Sequence, residues 1–166
     1  MSLTPEWLPN IHPVIVHFPI ALFFLGVLLD FLFLISRKKE LKNVAMTFLG
    51  LGAVFVIGAY FTGQSAADTV LIPADAQLAV NAHADWALRT IVLILIYVSG
   101  RFIADLKFPG PNIVVTVLAV VFGALCFFSL YETAEHGGQL VFRHGVGVQA
   151  VENQNNELQR LRDTEY

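Results

Sequence analysis

Long apolar runs alternate with short polar breaks along this chain. Four runs reach the length a helix needs to cross a bilayer, about 20 residues: 13–35, 44–64, 85–105 and 112–132. The breaks are short except for 65–84. That stretch contains "IPADAQLAVNAHA", where Pro73 suits the first turn of a helix, so a surface helix is expected to lead into the third span. The pattern predicts an all-α integral membrane protein. A four-helix bundle occupies 1–148, and a polar tail follows over 149–166.

Composition agrees. Of 166 residues, 56% are hydrophobic and only 14% charged, well above the apolar share of a soluble domain. The single cysteine, Cys126, excludes an internal disulfide, and no CxxCH exists for covalent haem attachment. The opening "MSLTPEWLPN" has no basic stretch before the first apolar run, so that run is expected to remain as a transmembrane helix. The charges sit almost entirely between or beyond the spans, and no nucleic-acid partner is expected.

Charge placement sets an orientation. The break "SRKKELKN" at 36–43 holds Arg37, Lys38, Lys39 and Lys42; Arg101 and Lys107 lie on the same side. On the opposite side, 1–12 and 65–84 hold no Lys or Arg, and only the tail adds Arg143, Arg160 and Arg162. Basic loops stay in the cytoplasm. Both termini are therefore expected outside, in a bacterial inner membrane.

With that orientation all 5 histidines fall on the outer side: His12 and His17 at the start of span one, His83 before span three, His136 and His144 beyond span four. An imidazole at a headgroup interface needs no special account. His17 stands about one turn inside its span, where a polar ring needs a partner, and Pro19 leaves the carbonyl of Ile15 without its helical bond. Neutral imidazole ligates haem iron, copper and zinc, and helix bundles build cofactor sites from facing helices. A b-type haem fits, because its porphyrin is apolar. Glycines at 50, 52, 58, 63 and 123 leave room for a flat ring, although each also serves plain helix packing.

Other residues bear on the site. Asp85 and Arg89 are spaced as an ion pair on one helix face, and Arg89 is alternatively placed to hold a haem propionate. Glu132 and His136 have the same spacing, so the carboxylate is placed to orient the ring. Gly137 and Gly138 are expected to end the fourth helix through a left-handed cap. The glycine-rich segment that follows lacks GxxxxGK[ST] and reads as an ordered turn over the outer end of the bundle. The tail carries one narrow stripe, Val151, Leu158 and Leu161, which predicts a short helix or a frayed end.

The segments "LPNIHPVIVHFPIAL", "HADWALRT" and "TAEHGGQLVFRHGVGVQAV" resemble a bacterial family of small four-helix membrane proteins catalogued as domain of unknown function two-two-three-one. The resemblance covers the chain to about Val151. It implies four helices with histidines near one surface. Some relatives look fused to, or encoded with, periplasmic c-type cytochrome domains, which implies electron transfer. His12, His17, His83, His136, Gly137, Gly138 and Gly145 match the family's motifs; His144 departs from them, since relatives often carry another residue there.

Together these observations predict a b-type haem electron-transfer subunit at the periplasmic face, with one or two haems, within a larger respiratory or photosynthetic redox complex. His17 and His83 are the expected axial pair, with His136 as substitute or as member of a second site; His12 and His144 follow, and Arg89 would hold a propionate. The expected partners are the lipid bilayer, a periplasmic c-type cytochrome or quinol, and other membrane subunits. Two other classes stay open: a copper or zinc protein on His17, His83 and His136, and a structural or assembly subunit without a cofactor. No nucleophile–base arrangement supports catalysis, and spans two and four hold no ionisable residue at mid-depth to support ion transport.

Overall fold

The computed structural model describes residues 10–108 and 112–164. The helices are α1 (His12–Ile15), α2 (His17–Ser36), α3 (Lys39–Thr69), α4 (Gln77–Lys107), α5 (Ile113–Phe142) and α6 (Gln149–Thr164), and no strand occurs among the described residues. A 3₁₀ turn, Ala74–Ala76, leads into α4. The expected surface helix is thus this turn running straight into the third span.

Local signals explain the ends. Asn112 accepts from the backbone N–H groups of Val114 and Val115 at 3.0 and 3.2 Å, satisfying two of the orphan donors of α5. Arg37, at φ 60°, closes α2 by donating its N–H to Phe33 O at 2.7 Å. α1 and α2 form one run joined at Val16, whose N–H reaches back to His12 O at 3.1 Å.

Gly137 and Gly138 do not end the fourth helix. α5 passes through both and stops at Phe142. The left-handed turn comes at Gly145, φ 66°, beyond which the Val146 N–H returns to Leu140 O at 2.9 Å. At Gly137 the helical backbone instead packs against His83 of α4. In α6 the described side chains are exposed.

Four helical segments are long and apolar enough to span a membrane: His12–Ser36, Lys39–Thr69, Ala74–Lys107 and Ile113–Phe142. Within their most apolar windows only 22–33% of residues are buried inside the protein. Phe24, Phe31, Val54, Phe61, Val117 and Phe128 point outward. An apolar surface that large is expelled by water and matched by lipid.

The packing is two hairpins, α2 with α3 and α4 with α5, laid together. α2 and α4 stand on opposite sides of the bundle axis. Phe23, fully buried, joins them: its ring meets Tyr97 and Phe127 edge-on at 5.7 Å centroid distances. Small residues let backbones close up. A Cβ on Gly26 would stand 3.0 Å from the Leu49 side chain, and one on Gly52 would stand 3.3 Å from the Phe23 backbone nitrogen.

Candidate functional site at the histidine end of the bundle

His12 lies half-buried against α3. Its Nδ1 is 3.2 Å from Thr62 Oγ1. The Thr62 hydroxyl donates its own proton to Ala59 O at 3.0 Å, so it accepts from the ring, and Nδ1 carries the hydrogen. His83 repeats the arrangement against α5. Its Nδ1 lies 3.0 Å from the carbonyl of Thr133, which can only accept. His136 donates Nδ1–H to the Glu132 carbonyl at 2.7 Å. In all three rings the proton assignment follows from an acceptor partner. In its neutral form each ring therefore leaves Nε2 with the lone pair that a metal needs.

All three rings lie toward the same end of the bundle, and His83 packs on Gly137, the residue next to His136. Glycine permits the approach. A Cβ on Gly63 would stand 3.0 Å from His12 Cε1, and one on Gly137 would stand 3.0 Å from His83 Cε1. His136 also neighbours two carboxylates: its Nδ1 lies 3.5 Å from Glu135 Oε2 and 4.0 Å from Glu132 Oε2. Ligand atoms of these three residues all fall within 4.8 Å of one another. The Trp86 ring covers His136 at 6.2 Å.

The remaining sequence-derived candidates are placed elsewhere. His17 is exposed, and its ring donates Nδ1–H to the carbonyl of Pro13 at 2.6 Å. The partner it needed inside the span is that local carbonyl. His144 lies on the turn after α5, with Nδ1 3.7 Å from Asp75 Oδ2. Arg89 is exposed and lays its guanidinium over the Trp86 ring at 4.8 Å, a cation–π contact that occupies the position expected of an Asp85 pair.

A second polar group lies toward the opposite end. Arg101 donates from Nε to Asp30 Oδ2 at 2.7 Å and from Nη2 to Oδ1 at 2.6 Å, and the Tyr97 hydroxyl donates to Oδ2 at 3.2 Å. Asp30 is 0% and Arg101 5% exposed. Arg101 therefore belongs to the interior and drops out of the basic-loop count, which keeps Arg37, Lys38, Lys39, Lys42 and Lys107. Removing one partner of such a pair strands a charge and costs about 3–5 kcal/mol. Asp30 is absent from the sequence-derived candidates. The signal for it is a lone carboxylate inside the apolar run "LGVLLDFLFLI", where a charge must find a partner.

The two groups share helix faces. Eighteen residues separate His83 from Arg101, which is five helical turns and about 27 Å. Arg101 reaches across the bundle axis to Asp30, so His83 looks toward the same axis at the other end. The interval from His12 to Asp30 is identical.

The fold and site define a four-helix membrane bundle with histidines toward one end and a buried ion pair toward the other. A family model described as "Predicted membrane protein (DUF2231)" matches residues 8–150, and the chain belongs to that family. No curated protein and no solved structure matches the chain.

Proposed function

We propose that this protein is a membrane electron-transfer subunit that holds a b-type haem between His12 and His83 at the outer end of the bundle. The observation that carries the reading is the shared ring geometry: each Nδ1–H is committed to a neighbouring helix, which leaves each Nε2 with its lone pair, on helices that face one another across the axis. His12 takes the place that sequence alone gave to His17, whose exposed ring is turned to Pro13. His136 is the neighbouring third imidazole. Gly63 and Gly137 set how far each ring sits back into its helix. The haem would supply one-electron chemistry, and the protein supplies ligands and exclusion of water. The histidine end is the outer one if Arg37, Lys38, Lys39, Lys42 and Lys107 obey the positive-inside rule. A periplasmic c-type cytochrome or a quinol in that leaflet is then the fitting partner, in a bacterial inner membrane with both termini outside.

Oxidised and reduced absorption spectra of the purified protein test this. A low-spin b-type spectrum is expected. His12→Ala and His83→Ala should each abolish it or turn it high-spin, and His17→Ala should leave it unchanged. Absence of a Soret band from wild-type protein purified from haem-replete cells would overturn the reading.

One observation favours a second reading. Glu132, Glu135 and His136 converge within 4.8 Å, and zinc accepts both carboxylate and imidazole. Metal analysis that finds stoichiometric zinc, lost in Glu132→Gln and His136→Ala, would select it. Protein with neither haem nor metal would point to a structural subunit.

A further inference from the structure

The interval of 71 residues between Asp30 and Arg101 is not confined to that pair. It also separates His12 from His83, Gly52 from Gly123, Tyr60 from Tyr131 and Thr62 from Thr133. The contacts repeat with it. His12 meets residue 62 and His83 meets residue 133, each fifty positions along its own hairpin. The buried positions of α2 at Pro19, Phe23, Gly26 and Asp30 correspond to Thr90, Ile94, Tyr97 and Arg101, all buried in α4. The chain is thus two copies of one hairpin. Both begin at the histidine end, so they are related by a two-fold axis along the bundle, as in parallel membrane repeats.

A residue close to a two-fold axis faces its own equivalent. Asp30 and Arg101 are such equivalents, and they face each other. Had the two hairpins been alike here, the axis would have carried Asp against Asp or Arg against Arg. Two like charges there, shut from water, have no compensation. We propose that the Asp30–Arg101 pair is the specificity device of this fold: it allows each hairpin to dock only on the unlike hairpin, and so forbids the self-pairing that a duplicated hairpin otherwise permits. The short connection through Val70–Ala76 then supplies the unlike hairpin from the same chain at high effective concentration.

The surroundings fit a clamp and not a pathway. The adjacent groove, about 280 Å³, reaches Asp30 and Tyr97 and is otherwise walled by apolar side chains, among them Phe24, Phe31, Leu34 and Phe127. Both carboxylate oxygens already accept a hydrogen bond from Arg101, and Tyr97 adds a third donor. The apolar alternative is energetically open, because replacing a whole buried ion pair by apolar side chains is often neutral or stabilising. The pair is therefore better accounted for by discrimination than by stability.

Full-length variants in detergent test the proposal, read by light scattering after size exclusion and by yield of folded protein. Arg101→Asp and Asp30→Arg each place like charges together, and folded yield should fall roughly tenfold or more. The exchange Asp30→Arg with Arg101→Asp restores an unlike pair at equivalent positions. It should recover most of the yield and keep the wild-type mass. The apolar pair Asp30→Leu with Arg101→Leu should fold and form higher oligomers than wild type at equal concentration. An exchange no better than the single reversals would overturn the equivalence of the two positions. A folded apolar pair with the wild-type mass would overturn the discriminating role. Aggregation of the apolar pair without a discrete oligomer, alongside a recovered exchange, would likewise count against discrimination and leave a clamp for stability alone.

Discussion

His83 rests on Gly137 so closely that the missing Cβ would stand 3.0 Å from the ring Cε1, whereas nothing lies within 4 Å of a Cβ on Gly138, the next residue. Two adjacent helical glycines therefore do different work. Glycine costs a helix roughly 0.5–1 kcal/mol relative to alanine. Gly138→Ala should recover that amount. Gly137→Ala must push the His83 ring back, and it should lose stability in spite of its better helix propensity. It should also alter any spectrum that depends on His83. Thermal unfolding of the two variants in one detergent checks the opposite signs; a stabilising Gly137→Ala would mean that the ring moves at no cost.

Cys126 gives a direct readout of unfolding. Its side chain is fully buried, and α5 packs it within the core cluster with Phe23 and Ile94. A thiol-reactive dye should label the folded protein slowly, by at least about tenfold relative to the unfolded chain, because reaction needs an opening of the bundle. Fast labelling under native conditions would contradict the packing of α5.

The hydroxyl chain at Thr90 has a fixed direction. Thr133 donates to the backbone carbonyl of Ser129 at 2.9 Å, so toward Thr90 it can only accept, at 2.8 Å. Thr90 thus donates to Thr133 and accepts from Ser129, which lies 2.7 Å away. Thr90→Val cuts the chain at its centre and strands the buried Ser129 hydroxyl, at a cost of about 1–2 kcal/mol. Ser129→Ala removes only the terminal donor and should cost less, about 0.5–1 kcal/mol. Denaturation followed by Cys126 labelling checks the order; Ser129→Ala as the worse variant would reverse the assigned direction.

Orientation is open to single-cysteine labelling in a Cys126→Ser background. Ser36 and Thr69 are exposed at opposite ends of the bundle. A membrane-impermeant maleimide should label Thr69→Cys in intact spheroplasts and Ser36→Cys only after lysis. The reverse pattern would put the histidines in the cytoplasm and remove the periplasmic partner.

The sequence by itself determined the spans. Twenty apolar residues in a row make a helix that lipid accepts, whatever else the chain does, and Pro73, Asn112 and the basic break at 36–43 punctuate those helices locally. It also placed the five histidines toward one end, because position along a helix fixes depth: His12, His17, His83, His136 and His144 all lie near helix ends on that side. It did not decide which rings pack into the bundle. His12 and His17 are five residues apart on one run, and only packing distinguishes the ring seated on Gly63 from the ring turned to Pro13. The same holds for Gly137, which reads as a helix stop until α4 brings His83 against it. Asp30 and Arg101 each look like an isolated charge in the chain; 71 residues separate them, and only the meeting of two hairpins about an axis turns them into a pair. What lies within one helix is set by local propensity and by solvent. What lies between helices depends on side chains fifty or seventy residues apart, whose contact becomes favourable only once the whole bundle has closed.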